Sequence, residues 1–189
     1  RGFLLERHVD SSIKIKRLDL TGVEIDEFRL GPEKTPGIEA DSVRARFVWK
    51  APWKVELDDI QVEHAHWTFS WNDAGPDFRG VDALFTSPAA KANKGEGVMV
   101  RRFSAPNALI TVESKFGTVN ARGGVGGDLA AKNYGANFEI DPGRLRGPGL
   151  NGRLLGGTFS LRVVGDSLTA NADLQAGQIA SAALDARDV

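Results

Sequence analysis

Apolar and polar residues alternate along much of this chain, and the alternation is interrupted in a regular way. With h for A, V, I, L, M, F, W, Y or C and p for any other residue, the string h-p-h-p-p-h-p-h occurs once across the Thr21-Gly22 turn, from Leu18 to Ile25, and five times elsewhere. It runs from Ile13 to Leu20, from Val23 to Leu30, from Ile38 to Ala45, from Val55 to Val62 and, overlapping the last, from Ile60 to Trp67. At the observed hydrophobic share of 41%, chance alone gives about 0.6 occurrences, so the pattern is a signal. In a strand, successive side chains point to opposite faces, so h-p-h places two apolar groups on one side. The doubled polar pair would send the next two to the other side. A β-bulge at that pair absorbs one residue and restores the face. On a helix the four apolar positions make no stripe. The pattern therefore predicts bulged or bent strands, in a sheet that twists rather than lying flat.

Turn residues punctuate these segments. Thr21-Gly22 separates the first two strands at hairpin distance, Gly31-Pro32 to Pro36-Gly37 is a longer loop, and Ala51-Pro52 marks another. Asn72 to Pro76 ends a strand carrying Trp67, Phe69 and Trp71, and residues 86–97 read as a surface loop. Further strands are expected at 98–105, 108–113, 117–121, 135–140, 157–164 and 167–174, with the short spacing of an antiparallel meander. Residues 178–187 fit either a strand or a frayed end. One short helix is expected, over 2–10, with Phe3, Leu4 and Val9 for one face and Glu6, Arg7 and Asp10 for the other. The fold class is thus all-β: a long, twisted, mainly antiparallel sheet with a short N-terminal helix.

Composition sharpens the picture. The 189 residues fit a single β-rich domain spanning 1–189, and 26% charged residues rule out a disordered chain. Its two halves differ: residues 1–94 hold 6 glycines, 14 basic and 16 acidic residues, against 16, 10 and 9 in residues 95–189. The charged repeats over 13–85 are therefore followed by a Gly-rich strand half over 98–189, where bulges and close backbone approaches are expected. A net charge of −1 gives no reason to expect nucleic acid. Absence of cysteine removes disulfides, thiolate nucleophiles and Cys-based zinc sites. No apolar run reaches the ~18 residues of a membrane-spanning helix. The chain begins Arg1-Gly2 without Met, so an anchor or signal preceding it in a longer protein is expected.

Candidate chemistry is sparse. His64 and His66 share a face if the strand is regular, with Asp58, Asp59 and Glu63 nearby, but no third metal ligand is identifiable and structural histidine is the default. Asp58-Asp59 occupies the doubled polar slot of the repeat, which explains it better than a catalytic carboxylate pair. Gly123 to Gly127 lacks the Lys-Ser/Thr of a phosphate loop and reads as a turn or as tight strand packing. Trp49, Trp53, Trp67 and Trp71 fall within 23 residues; a core under the sheet is the favoured reading, and a ligand or glycan surface the other. No nucleophile with its base can be assembled, so no catalytic residue, metal or cofactor is assigned and the chain is not read as an enzyme.

The rhythm I-x-I-x-x-L-x-L-T-G at Ile13 to Gly22, the similar strand ending Leu30-Gly31, then I-E-A-D-S-V at Ile38 to Val43 and V-E-L-D-D-I-Q-V at Val55 to Val62, resembles the AsmA-like periplasmic family of Gram-negative bacteria, in particular its YdbH- and TamB-type relatives. Residues 150–154, 161 and 168–174 continue in that style. The likeness is one of pattern, covers about the first 70 residues well, and brings no catalytic residues. It implies a half-pipe or taco-like sheet, anchored in the inner membrane by an N-terminal helix, that passes phospholipid or another envelope lipid through the periplasm. Under that reading the groove is lined by Ile13, Ile15, Leu18, Leu20, Val23, Ile25, Phe28, Leu30, Val55 and Leu57. The competing expectation is an envelope scaffold or protein-interaction domain with no ligand, pairing through its sheet edges with an envelope protein partner.

Overall fold

The computed structural model describes residues 9–51, 54–81, 100–147, 150–181 and 185–187. These form twelve strands in one open sheet. In chain order they are β1 (Ser11–Asp19), β2 (Gly22–Leu30), β3 (Ile38–Ala51), β4 (Lys54–Asn72), β5 (Gly75–Asp77), β6 (Val100–Ser114), β7 (Gly117–Asp128), β8 (Asn133–Ile140), β9 (Gly143–Gly147), β10 (Leu150–Val164), β11 (Ser167–Ser181) and β12 (Asp185–Arg187). The sheet runs β1-β2-β3-β4-β6-β7-β8-β10-β11-β12, with β5 folded back on β4 and β9 on β10.

All neighbouring pairs are antiparallel except β4 with β6, which is parallel. The meander expected from the spacing therefore holds on each side of this junction but not across it. A parallel neighbour needs a crossover, and the chain from β5 to β6 supplies one. The expected loop at 86–97 lies outside the described residues.

No helix is seen. Of the expected 2–10 segment, residues 1–8 lie outside the described part. Val9 and Asp10 are not helical: the Asp10 carbonyl accepts the Gly31 N–H at 2.9 Å, and Val9 is buried. At Val9, packing on Leu30 of β2 prevails over the local periodicity that suggested a turn of helix.

Each of the five repeats carries a bulge within its doubled polar pair. Ile15 pairs with Ile25, while Lys14 pairs with Glu27 and Arg17 with Glu24, leaving Lys16 and Asp26 outside the register. On β3 and β4 the residues left out are Ser42, Asp58 and His64. Ser42 and His64 do this with positive φ, 55° and 52°, a conformation that L-residues visit at some cost. Because each bulge absorbs one residue, the apolar pairs on either side of it return to the same face, as the pattern predicts.

Cross-strand partners share a face, so the register can be followed across the whole sheet. One row runs Leu18, Val23, Ala45, Ile60, Phe103, Gly127, Tyr134, Val163, Leu168 from β1 to β11. A parallel row runs Leu30, Ile38, Trp67, Ile110, Ala121, Ile140, Gly157, Leu174 from β2 to β11. The opposite face carries rows of the other kind. Arg46, Asp59, Arg102 and Asp128 stand side by side with alternating sign. One sheet thus has an apolar face and a polar face throughout.

Gly123 to Gly127 is resolved as strand, within β7. A Cβ on Gly123 would lie 1.9 Å from the Asn137 carbonyl oxygen and 2.7 Å from the Phe138 Cα, so glycine here lets β7 and β8 approach. Tight strand packing is the correct one of its two readings.

Candidate functional site

The most distinctive feature is what the apolar face lacks: among the described residues, no second layer covers most of it. Among the described residues nine hydrophobics are buried, and all but Ala40 form two clusters. One lies mid-sheet and consists of Ala65, Ala105, Ala108, Ala136 and Phe138, with Val62, Ile110, Ala121, Val125 and Leu161 packed beside it. Four of its five buried members are alanines, short side chains screened by longer neighbours on the same face. It is a floor rather than a core between layers.

The second cluster closes one end of the face. Val9 and Val81 pack on Leu30, with Phe28, Ile38 and Phe78 around them, and the Phe78 ring stands 5.5 Å from that of Phe69 on β4. The Gly31 and Gly37 positions let this segment close down: a Cβ at Gly37 would meet the Phe78 carbonyl oxygen at 2.4 Å. Residues 78–81 are tied to β6 by an ion pair between Arg79 and Glu113.

Of the ten positions expected to line a groove, Ile13, Ile15, Leu18, Val23, Ile25, Phe28, Leu30 and Leu57 fall on the apolar face by register. Ile15 and Leu18 are exposed, Val23, Ile25 and Leu57 half-buried. Leu30 is on that face but only 4% exposed, because the closing cluster covers it. Leu20 is in the β1–β2 turn, beyond the strand, and its carbonyl accepts the Trp49 indole N–H at 2.6 Å. Val55 pairs with Trp49 between β3 and β4.

The sequence list stops at β4, yet the face does not. Phe103, Ile110, Val125, Ile140, Leu161 and Val163 belong to it as much as Ile13 or Val23. The alternation of β6 to β11 contained this signal, diluted by glycines standing at apolar-face positions.

The tryptophans correct an expectation. Trp49, Trp67 and Trp71 are 50%, 43% and 56% exposed, so they are not core residues; Trp53 lies outside the described residues. Trp67 and Trp71, two full pleats apart on β4, share the apolar face. A single-layer sheet leaves large side chains near its ends with nothing to pack under.

The histidines also separate. His64 is the bulge residue, so the two do not follow the regular alternation that would pair them. His66 is held by the Thr111 hydroxyl at 2.9 Å and the Thr68 hydroxyl at 3.2 Å. Asp58, the other bulge residue, is engaged by Arg102 at 3.1 Å and Arg101 at 3.5 Å. Among the described residues no group of three His, Asp or Glu is arranged to hold a metal ion.

The polar face has its own concavities. One of about 400 Å³ lies by the β1–β2 turn among Arg17, Glu24, Arg44, Arg46, Asp59 and Gln61. A shallower trough of about 1040 Å³ lies over Ser104, Gly126, Asn137, Ser160, Arg162 and Asn171. Neither brings together a nucleophile and a base. At the turn, Asp19 accepts hydrogen bonds from the Thr21 hydroxyl at 2.6 Å, the Thr21 N–H at 2.8 Å and the Gly22 N–H at 3.2 Å. These donors, the Thr21 hydroxyl foremost, hold its carboxyl below the usual carboxylate range.

Set against known proteins, this chain matches no family model, no curated protein and no solved structure.

Proposed function

We propose that this protein is a lipid-binding or lipid-transfer module of the periplasm, a membrane-proximal part of an AsmA-like protein, in which the open apolar face takes up acyl chains. The observation that carries the reading is the continuous apolar surface from β1 to β11, left largely uncovered among the described residues. Exposed apolar patches of that extent on a soluble surface call for an occupant. Each buried acyl CH₂ contributes ~0.8 kcal/mol, so partial burial of two chains gives reversible rather than permanent binding.

A trough shape follows from the bulges. Asp26, Ser42, His64 and the Pro106-Asn107 pair all fall between the same two apolar rows on β2, β3, β4 and β6, while β7 passes this level in unbroken register with β8. Each bulge bends its own strand, and four aligned bends crease this part of the sheet toward a half-pipe. Val23, Ile25, Val43, Ile60 and Val62 are half-buried with no layer over them, which a concave face explains. The resemblance adds the compartment and an inner-membrane anchor in the full-length protein, and with them phospholipid or another envelope lipid as ligand. An oily wall recognises chains rather than headgroups, and no enzyme chemistry is needed.

Native mass spectrometry of protein purified from membranes, with uptake of a fluorescent phospholipid, tests this. Lipid adducts are expected, and Val43→Glu with Ile60→Glu should lower uptake about tenfold or more by placing charge in the acyl path. Gln61→Glu, on the polar face, should not. Protein that is lipid-free throughout and takes up no phospholipid would leave the ligand-free scaffold as the better reading.

A further inference from the structure

We infer that the chain pairs with a second copy of itself through the outer edge of β11, antiparallel, about a two-fold axis at Asn171. The two outer strands of the sheet are built differently. Along Ser11–Asp19, β1 presents Lys14, Lys16, Arg17 and Asp19 and is interrupted by the bulge at Lys16. Charges and bulges are the devices that keep an edge from pairing. From Ser167 to Gln175, β11 has one charge, Asp173, no proline and no bulge; its irregularity falls later, at Gly177. Within that stretch β10 pairs on one side, and no described strand pairs on the other, since β12 meets only Gln178, Ile179 and Ala180. All nine residues are exposed.

The sequence of this edge is complementary to itself. Leu168, Ala170, Ala172 and Leu174 lie on the apolar face by their pairing with Val163, Leu161, Phe159 and Gly157. An antiparallel partner centred on Asn171 sets Ala170 opposite Ala172 of the second copy and Leu168 opposite Leu174, apolar against apolar. On the other face Thr169 meets Asp173 and Ser167 meets Gln175, so no like charges face each other. Leu168 and Leu174, 66% and 61% exposed, gain a cross-strand neighbour. Pairing β11 with β1 instead would set it against the Lys16 bulge and generate an open filament. The two-fold arrangement closes after two copies and continues the apolar face from one into the other.

The absence of native cysteine makes the test direct. Sedimentation of the full chain is expected to show a concentration-dependent monomer–dimer equilibrium. Under mild oxidation Asn171→Cys should give a disulfide-linked dimer, because the axis brings the two thiols together. Ser167→Cys should not, its mate lying about eight residues, roughly 26 Å, along the strand. Asn171→Lys puts two cations on the axis and should weaken the dimer at least tenfold, whereas Thr169→Lys, opposite Asp173, should preserve it. Circular dichroism confirms that each variant keeps its sheet. A monomer at all concentrations, a ladder of larger oligomers, equal cross-linking at 167 and 171, or indifference to Asn171→Lys overturns the inference. Association through the oily face, relieved by lipid, would give no preference for position 171, so this outcome is separate from that of the lipid assay.

Discussion

The two halves of the sheet carry the same apolar face and hold it by different means. In β1 to β4 the face is kept by bulges at doubled polar residues, and the opposite side is dressed with charge. Arg44 lies 3.7 Å from Glu63 and 3.9 Å from Glu24, and Arg29 lies 2.7 Å from Glu27 and 3.3 Å from Glu39. Exposed pairs of this kind contribute little each; their service is to keep one face wet. In β6 to β11 the charges thin out, and glycine takes apolar-face positions beside large neighbours. Gly123 stands between Ala108 and Phe138, and Gly127 between Phe103 and Tyr134. Phe138, between Gly123 and Phe159, is only 8% exposed. The lesson is that facial segregation can be built either from register or from size.

Three perturbations test this contrast. Deleting Arg44 should have the largest effect. Without it, β3 turns Ala45 and Phe47 to the polar face while Ile38, Ala40 and Val43 stay where they are. Loss of the cooperative unfolding transition in urea is expected, and a folded, fully stable deletion mutant would refute the account of the repeats. Next comes Gly123→Val in the other half. Its side chain cannot fit 1.9 Å from a carbonyl oxygen, so β7 and β8 must part, at a cost of about 3 kcal/mol or more by urea denaturation. If size matters as argued, the same substitution at Gly75, where an added Cβ has nothing within 4 Å, should cost far less, the residue's positive φ of 113° setting the remainder.

The smallest effect is at Asp19. Its folded-state carboxyl titrates below the usual value, so ionised Asp19 favours the folded state. That contribution is fully present above the unfolded pKa of about 3.9 and is lost as pH falls through the lower, folded value. Thermal midpoints of the wild type and Asp19→Asn should differ by a constant small amount above about pH 5 and converge below about pH 4. Because solvent reaches the carboxylate, the difference is small, and an Asn variant that loses more at low pH than at neutral pH would contradict it.

Much of this was legible in the residues themselves. The side each repeat residue faces, the position of the bulge within each repeat and the Thr21-Gly22 turn follow from a period that is local in the chain. The end of the expected N-terminal helix, Val9 and Asp10, was misread for the opposite reason: Val9 is held by Leu30 and Val81, remote in sequence. The tryptophans were misread because burial depends on whether a second layer exists, which no local pattern reports. In the Gly-rich half the site was hidden, since a glycine in an apolar position writes no apolar letter.

By itself, the sequence determined that the chain forms strands and that their oily residues look one way, because pleat and bulge geometry act between neighbours a few residues apart. It took the assembled fold to set β4 parallel to β6, to close one end of the face with Val9 and Val81, and to leave residues 167–175 of β11 without a described neighbour on the outer side. Those are choices among distant partners, settled by the chain's crossover and by packing rather than by the periodicity of any one segment.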